Sequence, residues 1–440
     1  MCLAEIDGDG DLSSQRRLIE RRLAIEAEKY MNCSVPSASQ RLGGIKEWHF
    51  TKQEAEMVHI AMKLSDTAYD TEREPELEEA FRFEKKYYIP ASVNGTTKAT
   101  TFTIVTRENA SSYTETEKAW EEDKGEFPLL IIAIKGSKSP TDWMVNTNGT
   151  PQSVGDFFNL THMHPPTRQP PASIQAHSGF LHCAHALLPQ ITRELHKLIK
   201  EYNIHNVLLT GHSAGGAVSS LLFTYFLSIS HQEYKNIKFS LITFGAPPVT
   251  SPDITPLLLR YKSPNKGFSL AICNEYDPVP RADLEYIRSL LDLHRSAYGL
   301  PPLRIPELSN SISVTEGDHS VGVTPISPTG TTLMDRTPTD ISTTPTATTS
   351  APPESPCSLV TPAGEWILPI AVLHPLGRLI VLKDRNADEE TMDLYAYEVK
   401  AEEFEKLLFV KAGAHRRGVY LENLEQVRNG WVNGRQGWDQ

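Results

Sequence analysis

Cysteine is scarce in this chain of 440 residues. There are five (Cys2, Cys33, Cys183, Cys273, Cys357), odd in number and never spaced as CxxC. That pattern excludes a disulfide scaffold and a thiolate zinc site. Long apolar runs are missing too. The best, Leu221 to Ile229, has about half the ~20 residues that a membrane span needs and carries Thr224 and Tyr225. The opening MCLAEIDGDGDLSS lacks the basic and apolar regions of an export signal, so the expectation is a cytoplasmic protein without a transmembrane segment. The Asn-x-Ser/Thr triplets at Asn32, Asn94, Asn109, Asn148 and Asn159 then read as chance matches. Excess basic charge is absent: Lys and Arg total 43 against 55 Asp and Glu, a net charge of -12. Such a chain repels phosphate backbones, which disfavours nucleic acid as a partner and weakens docking to anionic membranes. Glycine (26) is outnumbered by proline (31), and many prolines fall late in the chain.

What is present is ordinary globular material, 39% hydrophobic and 22% charged. At roughly 150 residues per domain the length suggests about three domains, but the pattern along the chain points to fewer. Ser14 to Met31 places Leu18, Ile19, Leu23, Ala24 and Ala27 on one stripe, which predicts an amphipathic helix in an N-terminal helical extension, 1–49. Asp7, Asp9 and Asp11 imitate a calcium loop, yet Leu12 and Leu18 stand where its Gly and Glu belong, so no metal is expected there. Apolar runs at Pro128–Lys135, Asn206–Thr210, Lys238–Phe244, Phe268–Cys273 and Arg378–Leu382 predict strands covered on both faces. Helical stretches lie between them, notably Phe180–Tyr202 and Ala214–Ile229. Strand–helix alternation predicts an α/β fold with a mostly parallel central sheet flanked by helices. From Thr324 to Cys357 more than half the residues are Thr, Ser or Pro. Segment 299–361 is therefore expected to be a disordered insertion that divides one domain into 50–298 and 362–440.

The chemistry concentrates at Gly211-His212-Ser213-Ala214-Gly215-Gly216, between the strand NVLLT and a helix starting AVSSLL. This is G-x-S-x-G in its strand–turn–helix setting, which presents a serine hydroxyl at a helix N-terminus beside backbone N–H groups. A serine needs a base and the base an orienting acid, in the chain order Ser, acid, His. Asp277, just past the strand FSLAIC, is the best acid; Glu275 and Asp283 are its rivals, and Asp253 lies before that strand. Of the later histidines, His319 borders the low-complexity stretch and His374 precedes a strand, at the wrong end of the sheet. His415 follows that strand and a helical stretch, and fits a loop returning to the strand tops.

With these motifs in order, the chain resembles the class 3 lipases, the fungal lipase-like family of α/β-hydrolases. Ile131–Trp143 (IIAIKGSKSPTDW) resembles the family's oxyanion segment, and Ala176–Phe180 its V-H-x-G-F element. Gly211–Ala217, Thr243–Pro247 (TFGAP), Asn274–Pro280 and Pro375–Leu379 match four further signatures, while His415 with Tyr420 matches the last one loosely. The resemblance implies Ser213 as nucleophile, Asp277 as orienting acid and His415 as base. It also implies oxyanion donors at Ser137 and Ala214 and a lid starting at 138–146, with Trp143, Met144 and His212 as lid or substrate-side residues. Phe157, Phe158, Met163 and Pro165 would extend its apolar mouth. Lys135 stands where the family has Arg, which keeps the charge and loses the planar fork. The implied activity is hydrolysis of acyl-ester lipids at a lipid interface, without cofactor. A lipase-like interaction protein, or an esterase or phospholipase on other acyl esters, is the alternative.

Overall fold

The structure is a computed structural model that describes residues 10–36, 45–70, 81–92, 97–107, 126–137, 149–163, 173–303, 359–384 and 394–438. The lid start with Trp143 and Met144, Pro165, and 304–358 of the expected insertion lie outside the described residues. The chain divides into two units, and the elements below belong to the first, Met1–Pro302 with Val360–Gln440.

Among the described residues twelve strands follow one another: β1 (Ile45–Glu47), β2 (Phe81–Ile89), β3 (Thr100–Arg107), β4 (Leu129–Ile134), β5 (Pro151–Ser153), β6 (Gln175–His177), β7 (Asn206–His212), β8 (Lys238–Phe244), β9 (Thr250–Ser251), β10 (Lys266–Asn274), β11 (Arg378–Asp384) and β12 (Leu394–Val399). Nine form one sheet in the order β1-β12-β11-β10-β8-β7-β4-β3-β2, and β5, β6 and β9 form a small second sheet. The centre, β4-β7-β8-β10-β11, is parallel, and the flanking pairs are antiparallel. β4 (LLIIAI) and β7 are buried throughout, as unbroken apolar runs in a sheet covered on both sides should be.

The helices are α1 (Gly10–Ala27), α2 (Lys52–Thr67), α3 (Ser178–Tyr202), α4 (Ala214–Glu233), α5 (Thr255–Arg260), α6 (Leu284–Ser296), α7 (Ala401–Phe404) and α8 (Arg417–Arg428). α2 begins with a capping box in which Thr51 Oγ1 accepts the Glu54 N–H and Glu54 Oε2 accepts the Thr51 N–H. α3 buries Phe180, Leu187, Ile191, Leu195 and Leu198 and stops at Asn203 in the left-handed region, φ 51°. α4 is apolar on nearly every side and buried along most of its length, the composition of a helix enclosed by protein. α3 and α4 pack in the core on one face of the sheet. α2 and α8 pack in the core on the other. Phe157, Phe158 and Met163, expected near an open mouth, are instead buried with α3 and α4. Phe157 stacks obliquely on His185 and Tyr225.

The first residues do more than form a helix. Arg22 Nη2 of α1 donates to the Ala297 carbonyl beyond α6. Farther on, Val35 is gripped on both sides: its N–H donates to Glu275 Oε1 at 2.7 Å, and its carbonyl accepts from Lys383 Nζ at 2.6 Å. β1 pairs antiparallel with β12, so residues 45–47, read from sequence as part of a helical extension, form an edge strand. A three-residue strand is too short to register as a period in the sequence.

Candidate active site

The site assembles where parallel strands end. β7 runs out at His212, and Ser213 follows with φ 59° and ψ -135°, a conformation costing about 1–3 kcal/mol for a residue with a Cβ. Its N–H donates to the Phe244 carbonyl at 2.8 Å. The surroundings admit no bulk: a Cβ on Gly215 would lie 2.0 Å from the Ile134 carbonyl oxygen. Chain reversal within one residue lets α4 start at Ala214, whose N–H, in the first turn, has no intrahelical acceptor. Ser137 is buried and follows β4, whose last residue Ile134 lies beside Gly211 of β7. The sheet register therefore brings the two expected oxyanion donors to the same edge as Ser213.

β10 ends at Asn274, and the turn after it carries Asp277, which is 0% exposed. A buried carboxylate is costly unless its oxygens are satisfied, and here both are. Oδ1 accepts the Val279 N–H at 2.9 Å. Oδ2 accepts from His415 Nδ1 at 2.9 Å and from the Tyr420 hydroxyl at 2.7 Å. His415 closes the 3-10 turn Ala412–His415 just before α8. Because a carboxylate only accepts, Nδ1 carries the proton, leaving Nε2 to accept from Ser213 Oγ at 3.0 Å. The three residues expected to act together are thus joined in one chain of contacts, although Ser213 and His415 lie 202 residues apart.

The rivals are engaged elsewhere. Glu275 holds Val35 and lies 3.1 Å from Lys383 Nζ, and burial pushes its carboxyl above the usual range. Asp283 caps α6 through the Tyr286 N–H, and Asp253 accepts the Thr255 N–H. His374 lies 3.0 Å from Glu405, and its backbone bridges to Thr250. His212, expected on the substrate side, is 4% exposed with both ring nitrogens directed at protein. Its Nε2 lies 2.9 Å from the His415 carbonyl and its Nδ1 3.2 Å from the Tyr69 hydroxyl.

Several supporting residues went unassigned in the sequence. Burial and the Asp277 carboxylate push the Tyr420 hydroxyl far above its ordinary pKa, so it remains a donor to Oδ2. It also accepts the Asn274 N–H at 3.1 Å. Asn274 Nδ2 donates to the Ala414 carbonyl, tying the His415 turn to β10. Tyr286 OH donates to the Phe409 carbonyl and accepts the Phe409 N–H, anchoring the approach to that turn. Gly245, in TFGAP, has φ 54° and lies against the whole relay. A Cβ there would sit 2.8 Å from Asp277 Oδ2, 2.8 Å from Tyr420 OH and 2.9 Å from His415 Nδ1. The sequence signals were the loose His415/Tyr420 element and the glycine of TFGAP, which show their purpose only once the loops converge.

This is a serine–histidine–carboxylate chain of contacts at a helix N-terminus, an arrangement suited to acyl transfer. Residues 131–286 match the family model Lipase (class 3). The family that the motifs resemble is therefore the one matched, and the chain falls among the lipolytic serine ester hydrolases. The matched segment contains Ser137, Ser213 and Asp277, while His415 lies beyond it. No curated protein sequence matches the chain. Solved structures with a similar fold include the native Rhizomucor miehei lipase propeptide complex, with 18% identity, covering 58% of this chain and 75% of that one at a TM-score of 0.37. The Lip2 lipase from Yarrowia lipolytica has 16% identity, 54% and 78% coverage and a TM-score of 0.37. A triacylglycerol lipase from Penicillium expansum has 18%, 53%, 74% and 0.36 in the same order. At scores this low the likeness is distant. Among the described residues, no helix of the class 3 lipase-like chain is long and apolar enough to cross a membrane.

Proposed function

We propose that the protein hydrolyses acylglycerol esters through a covalent acyl-enzyme formed on Ser213. Ser213 Oγ adds to the ester carbonyl while its proton passes to His415 Nε2. The negative charge on the former carbonyl oxygen is held by the Ala214 N–H and by Ser137. Collapse breaks the ester bond, and the proton on Nε2 goes to the departing alcohol. Water, deprotonated by the same Nε2, then attacks the acyl carbon; the bond to Ser213 Oγ breaks, Oγ takes the proton back from Nε2, and the fatty acid leaves. Asp277 keeps the proton on Nδ1 and offsets the charge of the transient imidazolium. The observation that carries this reading is the unbroken pair of contacts, 3.0 Å from Ser213 to His415 and 2.9 Å from His415 to Asp277. Residues 50–298 with 362–440 are the proposed catalytic unit, acting at a lipid interface. A cytoplasmic setting is supported by free thiols at Cys33 and Cys273 among the described residues.

The test compares the wild type with Ser213→Ala on long-chain acylglycerol emulsions, phospholipids and short-chain p-nitrophenyl esters, alongside labelling by a fluorophosphonate. Hydrolysis and labelling are expected in the wild type, absent in the variant, and strongest on the acylglycerol. Retained hydrolysis in Ser213→Ala refutes the nucleophile, and a preference for phospholipid refutes the substrate class.

A further inference from the structure

The residue before the proposed nucleophile does something the sequence did not suggest. His212 is buried, with the Tyr69 hydroxyl, the His415 main chain and the Tyr420 ring (centroids 5.5 Å apart) around its ring, and the Arg417 charge acts on it. Its own ring lies 4.6 Å from that of His415, centroid to centroid. The hydrogen-bond inventory fixes the tautomer. A backbone carbonyl only accepts, so Nε2 must carry the proton that reaches the His415 oxygen at 2.9 Å. Nδ1 is then the acceptor, and the Tyr69 hydroxyl is its donor at 3.2 Å. Burial, reinforced by the charge of Arg417 and the neighbouring His415, drives His212 well below the ordinary histidine pKa, so the ring stays neutral.

We propose that His212 is a positioning residue, a neutral Nε2–H donor that locks the main chain of His415 to the elbow bearing Ser213, with its other ring nitrogen held by the Tyr69 hydroxyl. The contact links the two partners of the proton transfer directly, because one end is the residue next to Ser213 and the other is the peptide of His415 itself. Tyr69 is in turn held firmly. Arg417 lies 4.0 Å over its ring and pairs with Asp66 on α2. A Cβ on Gly136, the neighbour of Ser137, would lie 2.0 Å from its hydroxyl oxygen. One buried Tyr–His pair therefore touches the oxyanion segment, the elbow and the base. A histidine here differs from any aliphatic residue of similar volume: it supplies a donor to the buried His415 carbonyl.

This inference rests on the hydrolase reading for its kinetic consequence, but its geometric core can be read separately. The experiment uses the full chain and three variants, His212→Leu, His212→Gln and Tyr69→Phe. Turnover is followed on a short-chain p-nitrophenyl ester, folding by thermal melting, and the downfield Nδ1 proton of His415 by NMR. Misplacing a reacting group by about 1 Å costs up to ~100-fold in rate, so His212→Leu is expected to lose about tenfold or more in kcat with KM nearly unchanged. Its Nδ1 resonance should broaden or vanish. His212→Gln, whose amide can still donate to the carbonyl, is expected to recover most of both. A folded His212→Leu with unchanged kcat and resonance overturns the proposal, as does a His212→Gln that falls as far as Leu. Should His212→Leu fail to fold, Tyr69→Phe decides: an unchanged resonance and kcat there overturn it. If Ser213→Ala retains activity, the hydrolase reading fails, and the resonance alone still judges the positioning.

Discussion

Gly245→Ala offers the most discriminating perturbation of the relay. The substitution adds one methyl group at φ 54°, with contacts of 2.8, 2.8 and 2.9 Å to Asp277 Oδ2, Tyr420 OH and His415 Nδ1. Ordinary contact begins at 3.4 Å, so each partner must recede by about half an ångström or more, and they cannot all do so while keeping 2.7 and 2.9 Å hydrogen bonds to one another. A left-handed alanine costs about 1–2 kcal/mol by itself. Loosening one hydrogen bond to the charged carboxylate adds about 1.5–3 kcal/mol. The expected total is about 3–5 kcal/mol of stability, with kcat lowered about 10- to 100-fold by misplacement of the base. Gly155 supplies the control, since it has the same φ of 54° and nothing within 4 Å of an added Cβ. Gly155→Ala should cost only the backbone part and leave kcat unchanged. Urea unfolding and ester kinetics on both variants provide the measurement. If Gly245→Ala matches Gly155→Ala in both stability and kcat, the crowding argument is wrong.

Tyr420→Phe removes the donor to Asp277 Oδ2 and leaves the Asn274 N–H without its acceptor; a loss of about 1.5–3 kcal/mol is expected, with a fall in kcat, measured by denaturant melts and turnover. His415→Ala should abolish ester hydrolysis while His374→Ala leaves it near normal, because His374 is partnered by Glu405 and not by the relay; equal losses in the two would contradict the assignment. Glu275 has its pKa raised by burial, with Lys383 opposing. Between the ordinary carboxylate pKa and the raised one, the folded chain binds more protons than the unfolded chain, so this group's contribution to stability declines as pH rises through that window. Lys383→Met removes the opposing charge and should widen the decline, costing about 3 kcal/mol near neutral pH and less in mild acid. Unfolding curves at the two pH values check this, and a pH-independent loss would exclude Glu275 as the cause.

The legible part of the site was local. A strand, a small-residue turn and a helix are written consecutively in NVLLTGHSAGGAVSSLL, so Ser213 and its helix N-terminus needed no partner to be recognised. The strand spans were legible for the same reason: runs such as LLIIAI can be satisfied only when buried on both faces. The acid was legible only as a choice among neighbours, because Asp253, Glu275, Asp277 and Asp283 all lie near the ends of the last strands. What separated them was the company each keeps, a capping N–H, a lysine or an imidazole, and that company comes from segments far away in the chain. The histidine was harder still, since order and placement favoured His415 over His374 without a physical contact to decide it. Phe157, Phe158 and Met163 were misplaced because an apolar side chain looks the same in sequence whether it lines a mouth or fills a core.

By itself, then, the order of residues determined the parallel α/β frame, the serine on its turn, and the family that its motifs resemble, because each rests on short-range pattern and backbone geometry. Only the tertiary structure decided which carboxylate meets which histidine, and why Gly245 tolerates no side chain. It also decided that His212 turns inward to hold His415 and that Tyr420 shares the Asp277 carboxylate. Those are hydrogen bonds of about 3 Å between residues some 140–200 positions apart. They exist because parallel strands bring their ends to one edge, and a linear pattern carries no record of what is opposite.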